Sequence, residues 1–182
     1  MIKVSDKEEF LDILNDDGTP TGKIEKRSIV HKNKLFHNEV ALWIIDKENK
    51  RVLLQKRSPL KKQNPNKLAL CAGHVVSGET IEEALKKEAK EEINIDITNY
   101  DVKKLTIIKR TEPQNHCFSH HFYILANIPI SSLTAQKEEL SEILYMNYSE
   151  LKQLVIKNSD KVIFQWNPEY QRLFGILDNI IL

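Results

Sequence analysis

Glu79, Lys87, Glu88, Glu91 and Glu92 are the residues of this chain whose types and spacing could do chemistry. At about 100° per residue, Ile81, Ala84, Leu85 and Ala89 define one apolar arc of a helix. Glu88 and Glu92 fall inside that arc and Glu91 at its edge, while Glu82, Glu83, Lys86, Lys87 and Lys90 supply a full solvated side. Three carboxylates at i, i+3 and i+4 therefore turn toward the interior. There, like charges about 4 Å apart repel by roughly 4 kcal/mol at an effective dielectric near 20. A cation must hold them. Carboxylate oxygens select a hard ion, Mg²⁺ first and Mn²⁺ or Ca²⁺ next, rather than Zn²⁺. The competing reading of a Glu- and Lys-rich run is a solvated helix laced by i,i+4 pairs. Acids on the apolar arc, behind a glycine-bounded loop, favour the metal site.

Gly73, five residues to Glu79, seven more to Lys87, and then Glu88-Ala89-Lys90-Glu91-Glu92-Ile93-Asn94-Ile95 resemble the Nudix box, Gly-x5-Glu-x7-Arg-Glu-U-x-Glu-Glu-x-Gly-U with U aliphatic. Two positions depart from it. Asn94 stands where the family has Gly, and Asn is the non-glycine residue best able to end a helix in the left-handed conformation. Lys87 stands where the family has Arg, and an ammonium lacks the guanidinium's rigid fork. The resemblance implies an α+β fold, a Nudix-type α/β/α sandwich with a mixed sheet, and Mg²⁺-dependent hydrolysis of a diphosphate linkage. It implies that Glu88, Glu91 and Glu92, with the Gly73 carbonyl, hold the metal, that Glu79 orients Lys87, and that Lys87 pins the carboxylates. The general base is either a box glutamate or a carboxylate on a later loop, for which Glu138, Glu139 and Glu142 are candidates. That acidic stretch also reads as a solvated loop ahead of a strand.

The segment from Leu14 to Gly22, with Glu25, Lys26, His31, His37, Leu54 to Ser58, Lys61 and Lys62, is similar to the N-terminal half of the isopentenyl-diphosphate isomerase branch of the superfamily. That branch places a cysteine just before the Gly-His of the box and a glutamate on a later strand, with three histidines and two strand glutamates around a metal. His74 matches the box histidine, and His31 and His37 fall near the other two, so the three are candidates for a second metal site. The acid–base pair does not match. Ala72 precedes Gly73, Cys71 lies one place too early, and the strand from Cys117 to Ala126 contains no glutamate. Hydrolysis is therefore the expected chemistry, with an isomerase-like activity and a non-catalytic nucleotide-ligand sensor as alternatives. Arg57, Lys61 and Lys62 are candidate phosphate or leaving-group contacts.

Elements positioning these residues can be read from periodicity. Phe10 to Leu14 and Gly22 to Ser28 flank a turn, giving an N-terminal hairpin within 8–30. Val40 to Ile45 and Arg51 to Gln55 form a second hairpin, and Ser58 to Lys67 a basic loop. The box spans 73–95, its helix opened by Thr80 and Glu83 as a capping box. Leu105 to Arg110, Phe118 to Ala126 and Ile143 to Met146 are strands. Helices follow over 149–157 and 168–181, the latter opened by Asn167 and Pro168. Trp43 reads as core, and Trp166, Tyr170 and Phe174 as a packing stripe.

Composition excludes several classes. The chain has 182 residues, a net charge of +1 and 41% hydrophobic residues, which predicts one Nudix domain over 1–182 with its own core. No charge block points to a nucleic-acid polymer. No apolar run is long enough to span a bilayer, and residues 1–9 carry no signal-peptide core, so the expected location is cytoplasmic. Two cysteines make no disulfide framework. The expected partner is a small-molecule diphosphate, and a homodimer is compatible with the resemblance.

Overall fold

Strand β3, His37–Asp46, is buried along nearly its whole length, and its alternation organises the molecule. Val40, Leu42 and Ile44 face one layer, and Ala41, Trp43 and Ile45 the other, because successive side chains on a strand point to opposite sides. A strand buried on both faces must be central. In the computed structural model, which describes residues 8–61, 63–112, 115–136 and 138–182, it is. The large sheet runs β5 (Leu68–Ala69), β4 (Arg51–Arg57), β3, β8 (Asn115–Leu125), β7 (Lys103–Glu112), with β6 (Cys71–His74) beside β3 and β9 (Leu140–Asn147) beside β4. β3 and β8 are parallel and the other pairs antiparallel, so the sheet is mixed.

Each face is covered by helix. On one, α2 (Ile81–Ile93) packs Ala84, Leu85, Ala89 and Ile93 against Val40, Leu42, Ile44, Phe122 and Ile124. On the other, α3 (Tyr148–Ile156) and α4 (Pro168–Ile181) bury Tyr148, Leu151, Val155, Leu173, Phe174, Leu177 and Ile181 against Trp43, Ile45, Val52 and Leu54. The result is an α/β/α sandwich, the architecture expected from the sequence. Trp43 is fully buried between Phe164 and Phe174, and Tyr170 and Phe174 lie in the packing stripe with Trp166 partly buried against it.

Capping follows the local sequence. Thr80 and Glu83 form the reciprocal capping box, Asn94 closes α2 in the left-handed conformation (φ 57°), and Asn167 accepts from the Tyr170 amide at the start of α4. Four elements differ from the sequence reading. The N-terminal hairpin pairs β1 (Phe10–Leu14) with β2 (Pro20–Lys26), and the chain then forms a short helix, α1 (Arg27–Lys32), which takes up Arg27 and Ser28 from the extended return expected over Gly22 to Ser28. Strands β5 and β6 were not anticipated, since four residues or fewer carry too little periodicity to register. β9 begins at Leu140, so Glu142 lies in the strand rather than in a loop before it.

Candidate active site and histidine cluster

The box brings β6 against α2. Gly73 sits directly over Glu88, and a Cβ built on it would overlap the Glu88 carboxylate. Only glycine permits that approach. Glu92 is buried, Glu88 half-buried and Glu91 exposed, so the expectation that all three turn inward holds for two of them. Glu91 lies on the rim of the apolar arc. Burial, reinforced by Glu92 and Glu91 and opposed by Lys87, pushes the Glu88 carboxyl up to about 8. Glu92 is raised by burial too, but it is tethered. Its Oε2 accepts from Gln55 Nε2 at 2.9 Å and from the Ala72 amide at 3.0 Å, leaving Oε1 outside those bonds.

Lys87 was expected to pin the metal-binding carboxylates. Its ion pair goes to Glu79, the residue expected to orient it, with Nζ at 3.0 and 2.8 Å from the two carboxylate oxygens. Glu79 Oε2 also accepts from the Val76 amide at 3.2 Å, so the pair ties the 73–79 loop to the second turn of α2. The ammonium reaches Glu88 only through its field.

Other predicted site residues are placed as follows. Arg57 donates Nε and Nη2 to the Gln63 carbonyl at 3.3 and 3.2 Å, so it folds the basic loop back on itself. Lys61 is ion-paired with Glu139. Lys62 lies outside the described residues. Glu138 and Glu142 are exposed, and among the three candidate bases Glu139 is the one whose charge bears on Glu92.

One residue beyond Gly73, on the opposite side of β6, His74 meets His31 of α1 and His37 of β3. The three offer nitrogens that all lie within 4.8 Å of one another, with His31 Nε2 and His74 Nε2 3.0 Å apart. His37 Nδ1 is 3.2 Å from the Leu35 carbonyl and so carries the proton, which leaves a bare Nε2, buried and without a hydrogen-bond partner. Burial lowers the pKa of His37, and lowers that of His74 further, so both imidazoles are neutral. Such a set fits a divalent ion.

Residues that sequence reasoning passed over surround this cluster. Glu39, one alternation beyond His37 on β3, is 9% exposed. Its Oε1 lies 3.6 Å from His74 Nε2 and 3.9 Å from His37 Nε2, and accepts from Asn115 Nδ2 at 2.6 Å. Its Oε2 takes Arg110 Nη1 at 3.2 Å and the Cys117 thiol at 3.1 Å. Burial opposes the Glu39 charge, but the Arg110 guanidinium and the Asn115 hydrogen bond favour it, and the carboxyl is held below its ordinary value. A glutamate alternating with a histidine on an otherwise apolar strand was the available signal. Starting that strand at Val40 hid it.

A loop–helix motif that stacks Gly73 on Glu88, within an α/β/α sandwich, defines a class, and sequence comparison agrees. The NUDIX domain family matches residues 35–166, and the chain belongs to that family. It is 32% identical over 166 residues to an uncharacterized Nudix hydrolase of Clostridium acetobutylicum, covering 86% of this chain and 78% of that protein. It is 28% identical over 180 residues to Nudix hydrolase 3 of Arabidopsis thaliana, covering 93% of this chain but only 23% of that longer protein. An isopentenyl-diphosphate Delta-isomerase of Aliivibrio fischeri is 25% identical over 179 residues, 94% of this chain and 98% of that one. A crystal structure from Deinococcus radiodurans superposes with a TM-score of 0.70 at 18% identity, over 92% of this chain and 99% of that one, which establishes the fold. Nudix enzymes hydrolyse pyrophosphate bonds and generally use divalent metals. Among the described residues, no helix is long and apolar enough to cross a membrane.

Proposed function

We propose that this chain is a Mg²⁺-dependent hydrolase that cleaves the diphosphate linkage of a nucleoside diphosphate derivative or a related small molecule, with Mn²⁺ as a substitute ion. One observation carries the reading: Glu88 is held against Gly73 and Glu92 against the neighbouring Ala72 amide, where burial and mutual repulsion disfavour their charges unless a cation is bound. Bound Mg²⁺ would neutralise the diphosphate oxygens and lower the pKa of an attacking water. The chain's own residues do the positioning. Gln55 and the Ala72 amide fix Glu92, so that it presents Oε1. Glu79 and Lys87 fix the loop that sets the Gly73 carbonyl. Glu91, at the rim, completes the ligand set. Glu139 is the preferred base on a later segment, because its charge reaches Glu92, and Lys61 holds it.

The test is hydrolysis in ¹⁸O-labelled water with Mg²⁺ over a panel of nucleoside di- and triphosphates, nucleotide sugars, dinucleotides, ADP-ribose and prenyl diphosphates. One labelled oxygen in a phosphate-containing product is expected. Metal-independent turnover, or no label in any product, would overturn the reading.

The assembled histidines favour a second reading in one respect, that His31, His37 and His74 hold a second divalent ion, as the isomerase-like framework implies. Isomerisation of a carbon–carbon double bond also needs an acid and a base on opposite faces of the substrate. Ala72 stands in register for one of them, while Cys71 turns its thiol toward Glu92 with its pKa raised well above the ordinary value, chiefly by burial. Deuterium exchange from D₂O into isopentenyl diphosphate would restore the isomerase; none is expected.

A further inference from the structure

We infer that the groove between α2 and β7, on the flank of the box helix turned away from Glu88, binds a small amphipathic acid, with its apolar body on Leu85, Val102 and Phe122 and its anionic group between Lys86 and Lys104. The groove follows from how the sheet is covered. A helix is about 10 Å across and neighbouring strands lie about 4.8 Å apart, so one helix shields roughly two strands. On this face α2 lies chiefly over β6 and β3 and stops short of β7. The chain then closes α2 at Asn94, makes a short 3₁₀ turn over Ile97–Asn99 and returns to the sheet as β7. Helix, connection and strand enclose a groove of about 500 Å³, within the range of small-molecule sites.

The lining has two characters. Leu85 and Phe122 form a buried apolar floor, and Val102 adds a partly buried wall. The rim is charged, with Lys86 on the helix and Lys104 on the strand against the single carboxylate of Glu82. Lys104 pairs with Phe122 across the β7–β8 ladder, so the ammonium stands beside the apolar floor rather than apart from it. Lys87 and Lys103, the neighbours of these lysines in sequence, are ion-paired to Glu79 and Asp101, whereas among the described residues neither Lys86 nor Lys104 makes an ion pair. Both are therefore available to an anion from outside the chain. The same face of the two strands continues to Ile107, opposite His120 and 42% exposed, so the apolar strip runs on past the groove and suits an elongated hydrocarbon. Around the helix axis Glu82 and Lys86 lie about 120–160° from Glu88. A ligand here touches the box helix without reaching the metal-binding carboxylates, so the site is separate from the one that performs hydrolysis.

The experiment titrates anilinonaphthalene sulfonate, an apolar body bearing one anionic group, into the full chain with saturating Mg²⁺, follows its fluorescence, and then displaces it with decanoate. Wild type is expected to bind one equivalent saturably and to release it to decanoate, while decanol, which lacks the charge, displaces it about tenfold less well. The double variant Lys86→Gln, Lys104→Gln, at two exposed positions, should bind the probe about tenfold more weakly, with circular dichroism confirming the fold. Two comparisons should match wild type: Lys47→Gln, Lys157→Gln, which removes the same charge elsewhere, and Glu88→Gln, which alters the box. Unchanged affinity in the Lys86, Lys104 variant, equal weakening in the Lys47, Lys157 variant, or equal displacement by decanol would overturn the assignment of the anion to these two lysines. Loss of the probe in Glu88→Gln would move it to the box, and absence of saturable binding in wild type would overturn the groove as a ligand site.

Discussion

Glu92 is the residue whose role the structure narrows most, because one of its oxygens is already committed to Gln55 and Ala72. A carboxylate with one oxygen engaged binds metal through the other. Gln55→Leu removes one tether without touching a ligand, so Glu92 should become free to rotate. The expected outcome is a several-fold rise in the Mg²⁺ concentration giving half-maximal activity, with thermal stability lowered by about 1–3 kcal/mol for the lost buried hydrogen bonds. Glu92→Gln and Glu88→Gln are expected to weaken Mn²⁺ binding, read by paramagnetic resonance, with circular dichroism unchanged. Native affinity in both would remove the box from the metal site. Lys87 belongs to another class. Its replacement by Ala breaks a bidentate pair to Glu79 and should loosen the 73–79 loop, lowering kcat by roughly tenfold, while Lys87→Arg keeps turnover. Steady-state kinetics on the best substrate of the panel decide it.

At the scale of elements, what could be read from sequence tracks the strength of the local signal. The box helix, its capping box and the α4 stripe were legible because a period of 3.6 repeats over at least thirteen residues in each. The left-handed close at Asn94 was legible for a stereochemical reason. Asn94→Gly should be neutral or slightly stabilising, and Asn94→Val should cost about 1–2 kcal/mol in chemical denaturation. By contrast, α1 occupies six residues with one buried side chain, Val30, and β6 four, so neither leaves a period to detect. Two of the three clustered histidines, His31 and His74, therefore sit on elements invisible to pattern reading. The Glu39 to Arg110 pair was illegible for a different reason: it joins residues 71 apart in sequence through a strand register that only the folded sheet sets.

For the molecule as a whole, the layer between the sheet and α4 contains an imidazole that the site does not use. His121 is fully buried, accepts from Trp43 Nε1 at 2.9 Å, and has its pKa depressed to about 3, first by burial and then by Arg110. A histidine neutral when folded and protonated when unfolded binds more protons in the unfolded state at acid pH. Its contribution is thus fully present above the ordinary histidine pKa near 6.5 and is lost as pH falls from there toward 3, by up to about 5 kcal/mol. Denaturant unfolding at a series of pH values should show stability falling steadily below pH 6.5, and His121→Gln should flatten that slope. An equal slope in the variant would assign the acid sensitivity elsewhere.

Strand β6 puts Gly73 under Glu88 and His74, one residue later, among the histidines on its other side. Both placements depend on the parity of a four-residue ladder against β3, in which Gly73 lies opposite Val40 and His74 opposite Glu39. A chain longer by one residue between β5 and Gly73, paired one step out of register, would bring a side chain against Glu88 and turn His74 away, so the two sites stand or fall together under insertion. Evolutionary change in this protein is therefore expected to tolerate length variation in the 46–51 turn, and to tolerate none between Ala69 and Gly73. Adding one alanine after Leu70 should abolish Mn²⁺ binding at the box and Co²⁺ binding at the histidines at a single stroke, and the same addition after Glu48 should spare both.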